Sequence, residues 1–261
     1  MINRMAFAAL FALCPLPTLA MDLGDYQLVD LSHSYGPETV YWPTSPTAFI
    51  KEELDYGISE GGWFYSSYSV CTPEHGGTHI DAPLHFAEGG ISTEKIPLEN
   101  LLAPAIVIDV SGKAAADRDY RLTVEDVSEF EAAHGKIAPG TIVLLRTDWS
   151  RHWPDTLAYL GDDTPGDATK LRFPGYGEAA TRILVEQRGV AMLGIDSASI
   201  DYGKSQDYIA HRVGASRGVS NLENLAHLDR LPPTGSIILA LPMKIAGGSG
   251  GPVRVVALVP R

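Results

Sequence analysis

Two cysteines in 261 residues leave no material for a disulfide framework. Cys14 falls within the first twenty residues, so Cys71 stands alone in the rest. It lies four residues ahead of His75 and is expected to be a small buried core side chain rather than a soft metal ligand. Positive charge is also short: 20 Lys and Arg face 32 Asp and Glu, for a net charge of −12, so nucleic acid is not an expected partner. Long apolar runs are missing as well. The stretch Met5 to Leu13 stops well before the roughly 20 residues that a membrane-spanning helix needs, and no later segment reaches that length, so no membrane partner is expected. Internal repeats and low-complexity tracts are absent from the sequence.

What is present begins with Arg4, the apolar run to Leu13, Pro15 and Pro17, and small residues around Thr18-Leu19-Ala20. That pattern predicts a secretory signal peptide over residues 1–20, hence a periplasmic or secreted mature chain. Residues 21–261, with 45% hydrophobic content across the sequence, supply enough apolar material for one domain. Strand-like runs are expected at Gln27 to Leu31, Phe64 to Cys71, Ala105 to Val110, Thr141 to Arg146, Val190 to Ile195, Ser236 to Leu241 and Val253 to Val259. Several are almost wholly apolar, as strands buried on both faces are. Helices are expected at Thr123 to His134, which opens on a Thr-x-x-Asp cap, at Gly177 to Gln187, which Gly189 ends, and at Leu222 to His227. The sum is a mixed α/β domain without strict strand–helix alternation. Trp149 to Phe173, rich in Asp, Pro and Gly, reads as a long surface excursion.

Chemistry concentrates in His75-Gly-Gly-Thr-His-Ile-Asp-Ala-Pro-Leu-His85, where His75, His79, Asp81 and His85 fall within eleven positions. Imidazole and carboxylate suit a borderline divalent ion, and His75, His79 and Asp81 would leave coordination positions open. Gly76, Gly77 and Pro83 argue against a helix, so the cluster is expected on a tight loop entering a short strand, where His79 and Asp81 share a face. Downstream, His211 precedes Glu223 by twelve residues. Alone each has an ordinary structural reading; if Asp81 bridges two ions they complete a second site, with ions about 3.5–4 Å apart.

The stretch from His75 to Phe86 resembles the signature of the cyclase-like metal-dependent hydrolase family, which includes bacterial kynurenine formamidases and isatin hydrolases. Asp30-Leu-Ser-His33, Tyr41-Trp-Pro43, Arg146-Thr-Asp-Trp149, Gly194 to Asp201, His211 to Glu223, Pro242-Met-Lys244 and Gly251 to Arg254 extend the similarity over nearly the whole mature chain. The resemblance implies a swivelling β/β/α fold, a homodimer or higher oligomer, and hydrolysis of a carbon–nitrogen amide bond. It implies one metal at His75, His79 and Asp81, a second at Asp81, His211 and Glu223, and His85 as the acid/base residue. Isatin hydrolases can carry a non-ligating residue at the Glu223 position and use one manganese, so Glu223 favours two ions here.

A bound divalent ion, Mn²⁺ or Zn²⁺, lowers the pKa of water to near 7 and so makes hydroxide available to attack an amide carbonyl. His85 would take the proton and hand it to the departing nitrogen. Thr78 is a candidate to orient a ligand or oxyanion, or to stabilise the turn. Trp42, Trp63, Phe64 and Phe86 are candidate walls for a flat substrate, an isatin-type lactam or an N-formyl arylamine such as N-formylkynurenine. In the resembling family an N-terminal aromatic can come from the neighbouring subunit, which singles out Trp42. Gly247 to Gly251 lack a following Lys-Ser/Thr pair and read as a turn. The competing function is a periplasmic protein that binds metal or a small ligand without turnover.

Overall fold

A computed structural model describes residues 22–261; the expected signal peptide lies outside the described residues. The strand-like runs other than Phe64 to Cys71 form strands of one mixed sheet. β1 (Tyr26–Asp30) is followed by a hairpin of β2 (Ile50–Ile58) and β3 (Phe64–Cys71), then by β4 (His79–Asp81) and β5 (Leu102–Asp109). Next come β6 (Arg121–Leu122), β7 (Ile142–Arg146), β8 (Gly175–Tyr176), β9 (Met192–Ile195), β10 (Ser220–Glu223), β11 (Ser236–Pro242) and β12 (Gly250–Pro260). The main sheet has the order β1-β12-β11-β5-β7-β9-β10-β4, and β4 also pairs with β12. That extra pairing closes the sheet on itself. Within it β5, β7, β9 and β10 run parallel, and the remaining pairs are antiparallel.

Closure dries the inner face of the sheet and the helices cover the outer face of β7 and β9, which explains why those two strands are almost wholly apolar. Along β7, Ile142 and Leu144 enter the cluster shared with Ile80, Leu222 and Val255, whereas Val143 and Leu145 enter the one covered by helices. Each such fully buried side chain contributes about 1.5–3 kcal/mol relative to exposure. The helices are α1 (Leu98–Leu101), α2 (Ser111–Ala116), α3 (Val124–His134), α4 (Thr156–Leu160), α5 (Glu178–Arg182) and α6 (Ile209–Ser216). Val127 and Phe130 of α3, Ala180 of α5 and Val213 of α6 supply the covering layer. α3 starts as its sequence dictates: Thr123 accepts from the Asp126 amide while Asp126 accepts from the Thr123 amide.

Three expectations need correction, and one strand went unread. Leu222 to His227 is no helix, because Ser220–Glu223 is clamped as a strand between β9 and β4 and sheet pairing overrides local propensity. The stretch from Trp149 to Phe173 is anchored, not a surface excursion. Trp149, Tyr159, Leu160, Leu171 and Phe173 form a third buried cluster with Val40 and Ala198. Their apolar anchors are spaced between Asp, Gly and Pro residues that do sit outside. Cys71 is exposed, because it ends a two-stranded hairpin that no second layer covers. The strand Ile50–Ile58 also escaped the sequence pattern, since its charged and apolar residues both face solvent.

Candidate metal centre and active site

Backbone geometry explains how the cluster assembles. Gly76 and Gly77 turn the chain into β4 with φ of 145° and 58°, and a side chain at Gly77 would lie 2.7 Å from the Tyr35 ring. His79 and Asp81, two apart on a strand, then point to one face. β10 runs antiparallel to β4 with Glu223 directly opposite His79, which puts the Glu223 carboxylate on the same face. α6 delivers His211 from above.

The side chains converge closely. His75 Nδ1 is 2.6 Å from Asp81 Oδ1, and His79 Nε2 is 3.2 Å from that oxygen and 3.5 Å from Glu223 Oε2. His211 Nε2 lies 3.1 Å from Asp81 Oδ2 and 3.0 Å from Glu223 Oε1. Ligand atoms of His75, His79 and Asp81, and of Asp81, His211 and Glu223, thus form two triads that share Asp81, each within 4.8 Å. All but His75 are buried.

The donor set fits divalent cations. Two carboxylates buried away from water require positive charge, and three imidazoles offer a nitrogen each. The outward nitrogens are already engaged: His79 Nδ1 donates to the Gly77 carbonyl at 3.0 Å and His211 Nδ1 to Asp201 Oδ2 at 2.7 Å, so both Nε2 lone pairs face inward. Burial works against charge on His79, yet Asp81 and then Glu223 outweigh it and lift its pKa to about 9. Burial likewise opposes charge on His211, but hydrogen bonds to Asp201, Asp81 and Glu223 raise it well above the ordinary value. Asp81 is pulled far below the usual carboxylate range by His79 and His75, against the upward push of burial. The two carboxylates thus draw positive charge into the centre, as protons on the imidazoles wherever no cation is bound.

His85 sits on the turn Pro83–His85 and stacks on His75 with ring centroids 3.8 Å apart, inclined 18°. It belongs to neither triad. Burial against its neighbours lowers its pKa to about 4, Asp81 raising it and His75 and His211 lowering it further. One side of the residue is open to solvent. The lowered value leaves the ring neutral at pH 7, as a proton acceptor must be.

Above the centre lies a cleft of about 370 Å³ walled by Val40, Trp42, Pro46, Phe86, Leu160 and Tyr208, with His85 and the ligands at its floor. Phe86 packs on His211 at 4.5 Å and on Tyr208 at 5.5 Å. Tyr208 and Asn224 both hold left-handed φ, 50° and 54°, an uncommon conformation that concentrates at functional sites. The structure therefore brings together His75, His79, Asp81, His85, His211, Glu223, Trp42 and Phe86. Trp63 and Phe64 stand apart, 64% and 55% exposed on the β2–β3 hairpin, and line no part of their own chain's cleft. The Thr78 hydroxyl donates to the Asn224 carbonyl at 2.7 Å and accepts from the His33 amide at 2.8 Å, so it ties loops together.

Sequence reasoning gave no role to Asp201, which aims His211, or to Tyr208 and Asn224, which shape the cleft. Asp201 had a signal, a carboxylate ten residues ahead of a candidate ligand; Tyr208 and Asn224 had none.

Comparison with known proteins agrees with this geometry. An isatin hydrolase of Roseibium aggregatum is 34% identical over 254 residues, covering 91% of this chain and 94% of that protein. A kynurenine formamidase of Salinibacter ruber is 30% identical over 229 residues, covering 88% and 96%. The crystal structure of an isatin hydrolase bound to the product analogue thioisatinate superposes with a TM-score of 0.82 at 31% identity, covering 91% of this chain and 94% of that one. The model of the putative cyclase family matches residues 29–202. On that match, together with the length of the isatin hydrolase alignment, the chain belongs to the putative cyclase family.

Proposed function

We propose that this protein opens the carbon–nitrogen bond of a small, flat, uncharged aromatic lactam of the isatin type. It is a metal-dependent hydrolase of amide bonds: the two triads supply the metal centre, and the named relatives hydrolyse such bonds. The observation that carries the choice of substrate is the lining of the cleft. It is largely aromatic and aliphatic, it includes no lysine or arginine, and its one acid, Glu223, is a ligand. N-formylkynurenine carries an amino-acid carboxylate and ammonium, which this wall would leave unpaired at a cost of several kcal/mol.

His75, His79 and Asp81, and Asp81, His211 and Glu223, would hold the divalent cations, which would supply Lewis acidity and lower the pKa of water to near 7. His85, neutral at the cleft floor, accepts the proton of the attacking water and returns it to the ring nitrogen as the C–N bond breaks. Trp42, Phe86 and Tyr208 hold the planar ring and exclude water. Two ions per subunit is the proposed stoichiometry, since each triad would hold one, with Mn²⁺ and Zn²⁺ both compatible with the residues. The β2–β3 hairpin, exposing Leu54, Tyr56, Ile58, Trp63, Phe64 and Val70, supports a homodimer whose partner covers it. Export to a periplasm is part of the same reading and rests on the leader-like residues 1–20.

The deciding experiment measures kcat/KM for isatin and N-formylkynurenine side by side. The reading expects isatin to be preferred by roughly 10²-fold, the worth of about 3 kcal/mol. A preference for the formamide would overturn it.

A further inference from the structure

Glycines 247, 248, 250 and 251 read from sequence as a plain turn before β12, yet Ser249 in their midst touches the metal centre. Its hydroxyl lies 2.9 Å from His75 Nε2 and 2.6 Å from Glu74 Oε2, and its amide donates to the same Glu74 oxygen at 2.9 Å. The hydroxyl carries one hydrogen. An ionised Glu74 only accepts, so that hydrogen goes to Glu74 and the Ser249 oxygen must accept from His75 Nε2–H. A neutral His75 then keeps its Nδ1 lone pair on the side that faces Asp81, 2.6 Å away.

We propose that Ser249, fixed by Glu74, is a positioning residue that sets the tautomer of His75 and aims its Nδ1 at the cation. The inference rests on the metal-centre reading above and adds to it the device for the one ligand that is not buried. His79 and His211 are oriented by Gly77 and Asp201, and Ser249 with Glu74 completes the set for His75. The loop is built for this approach. A side chain on Gly250 would lie 2.6 Å from His75 Cε1, and one on Gly248 would lie 2.9 Å from Glu74 Oε1. Thr93 secures the loop by donating its hydroxyl to the Gly248 and Gly250 carbonyls at 3.0 Å each, and the Ser249 carbonyl accepts from the Ala82 amide at 2.8 Å.

The test is the dissociation constant of Zn²⁺ and Mn²⁺ from full-length apo-protein, titrated against a competing chelator, with the apo-protein's Tm measured beside it. Ser249→Ala should weaken binding by roughly 10–100-fold with the Tm unchanged, Ser249→Thr should restore it, and Glu74→Gln should weaken it as well. In zinc-loaded protein labelled with ¹⁵N-histidine, His75 should show a protonated Nε2. Unchanged affinity in Ser249→Ala and Glu74→Gln, or a His75 protonated at Nδ1, overturns the proposal. Wild-type protein that binds neither metal would instead overturn the metal-centre reading itself.

Discussion

Replacing His85 with glutamine separates chemistry from metal binding. The ring belongs to neither ligand triad and makes no hydrogen bond to any of the five ligands. Its coupling to the centre is the 3.8 Å stack on His75. Losing that stack costs about 0.5–1.5 kcal/mol, or roughly 1–6 °C in Tm for a domain of this size. Losing a general acid/base costs far more. The usual factor of 10²–10⁴ in rate corresponds to about 2.7–5.5 kcal/mol of barrier. His85→Gln should therefore keep its full metal complement by elemental analysis, keep KM within a few-fold, and lose turnover by roughly 10²–10⁴. The assay is steady-state lactam hydrolysis on metal-loaded protein, with metal content determined on the same sample. A variant with undiminished turnover would refute the assignment of the proton transfer to His85 and would suit a protein that binds without reacting. A variant that loses metal would make His85 a ligand instead.

Glu223→Ala should reduce metal content from two ions per subunit towards one, because Glu223 contributes to only one triad; elemental analysis showing unchanged stoichiometry would reject the second site. Trp63→Ser combined with Phe64→Ser should shift the protein from dimer to monomer in sedimentation velocity, and an unaltered dimer would remove the hairpin from the interface. Asp196 is fully buried, and burial lifts its carboxyl from 3.8 to about 7, opposed by hydrogen bonds from the Thr147 hydroxyl and amide. The folded protein therefore holds this proton where the unfolded chain releases it. The resulting stability is complete below pH 3.8 and is lost as pH rises through about 7. That preference is worth about 4 kcal/mol at most. Asp196→Asn, neutral throughout, should gain Tm over wild type as pH goes from 4 to 8, and a constant difference across that range would refute the argument.

The candidate ligands were legible because metal chemistry writes itself in residue types at short spacing. His75, His79 and Asp81 needed only the two-residue period of a strand and the glycines before it. His211 and Glu223 were legible by resemblance, although their surroundings were not: Glu223 is on β10 rather than in a helix turn, because its place is decided by β4 and β9. The apolar central strands were readable for the same reason that they are buried on both faces. Closure of the sheet through β4 and β12 was not, since it depends on a register set in three dimensions. Trp149, Tyr159 and Phe173 were hidden among residues typical of loops, and Ser249 looked like part of a glycine turn until His75 was placed beside it.

The central claim is that cations held by these carboxylates and imidazoles activate the attacking water. Turnover of a lactam before and after exhaustive chelation and dialysis tests it most directly. Hydrolysis should disappear in the stripped protein and return on adding Mn²⁺ or Zn²⁺. Cleavage at the original rate by protein shown by elemental analysis to be free of metal would contradict the account.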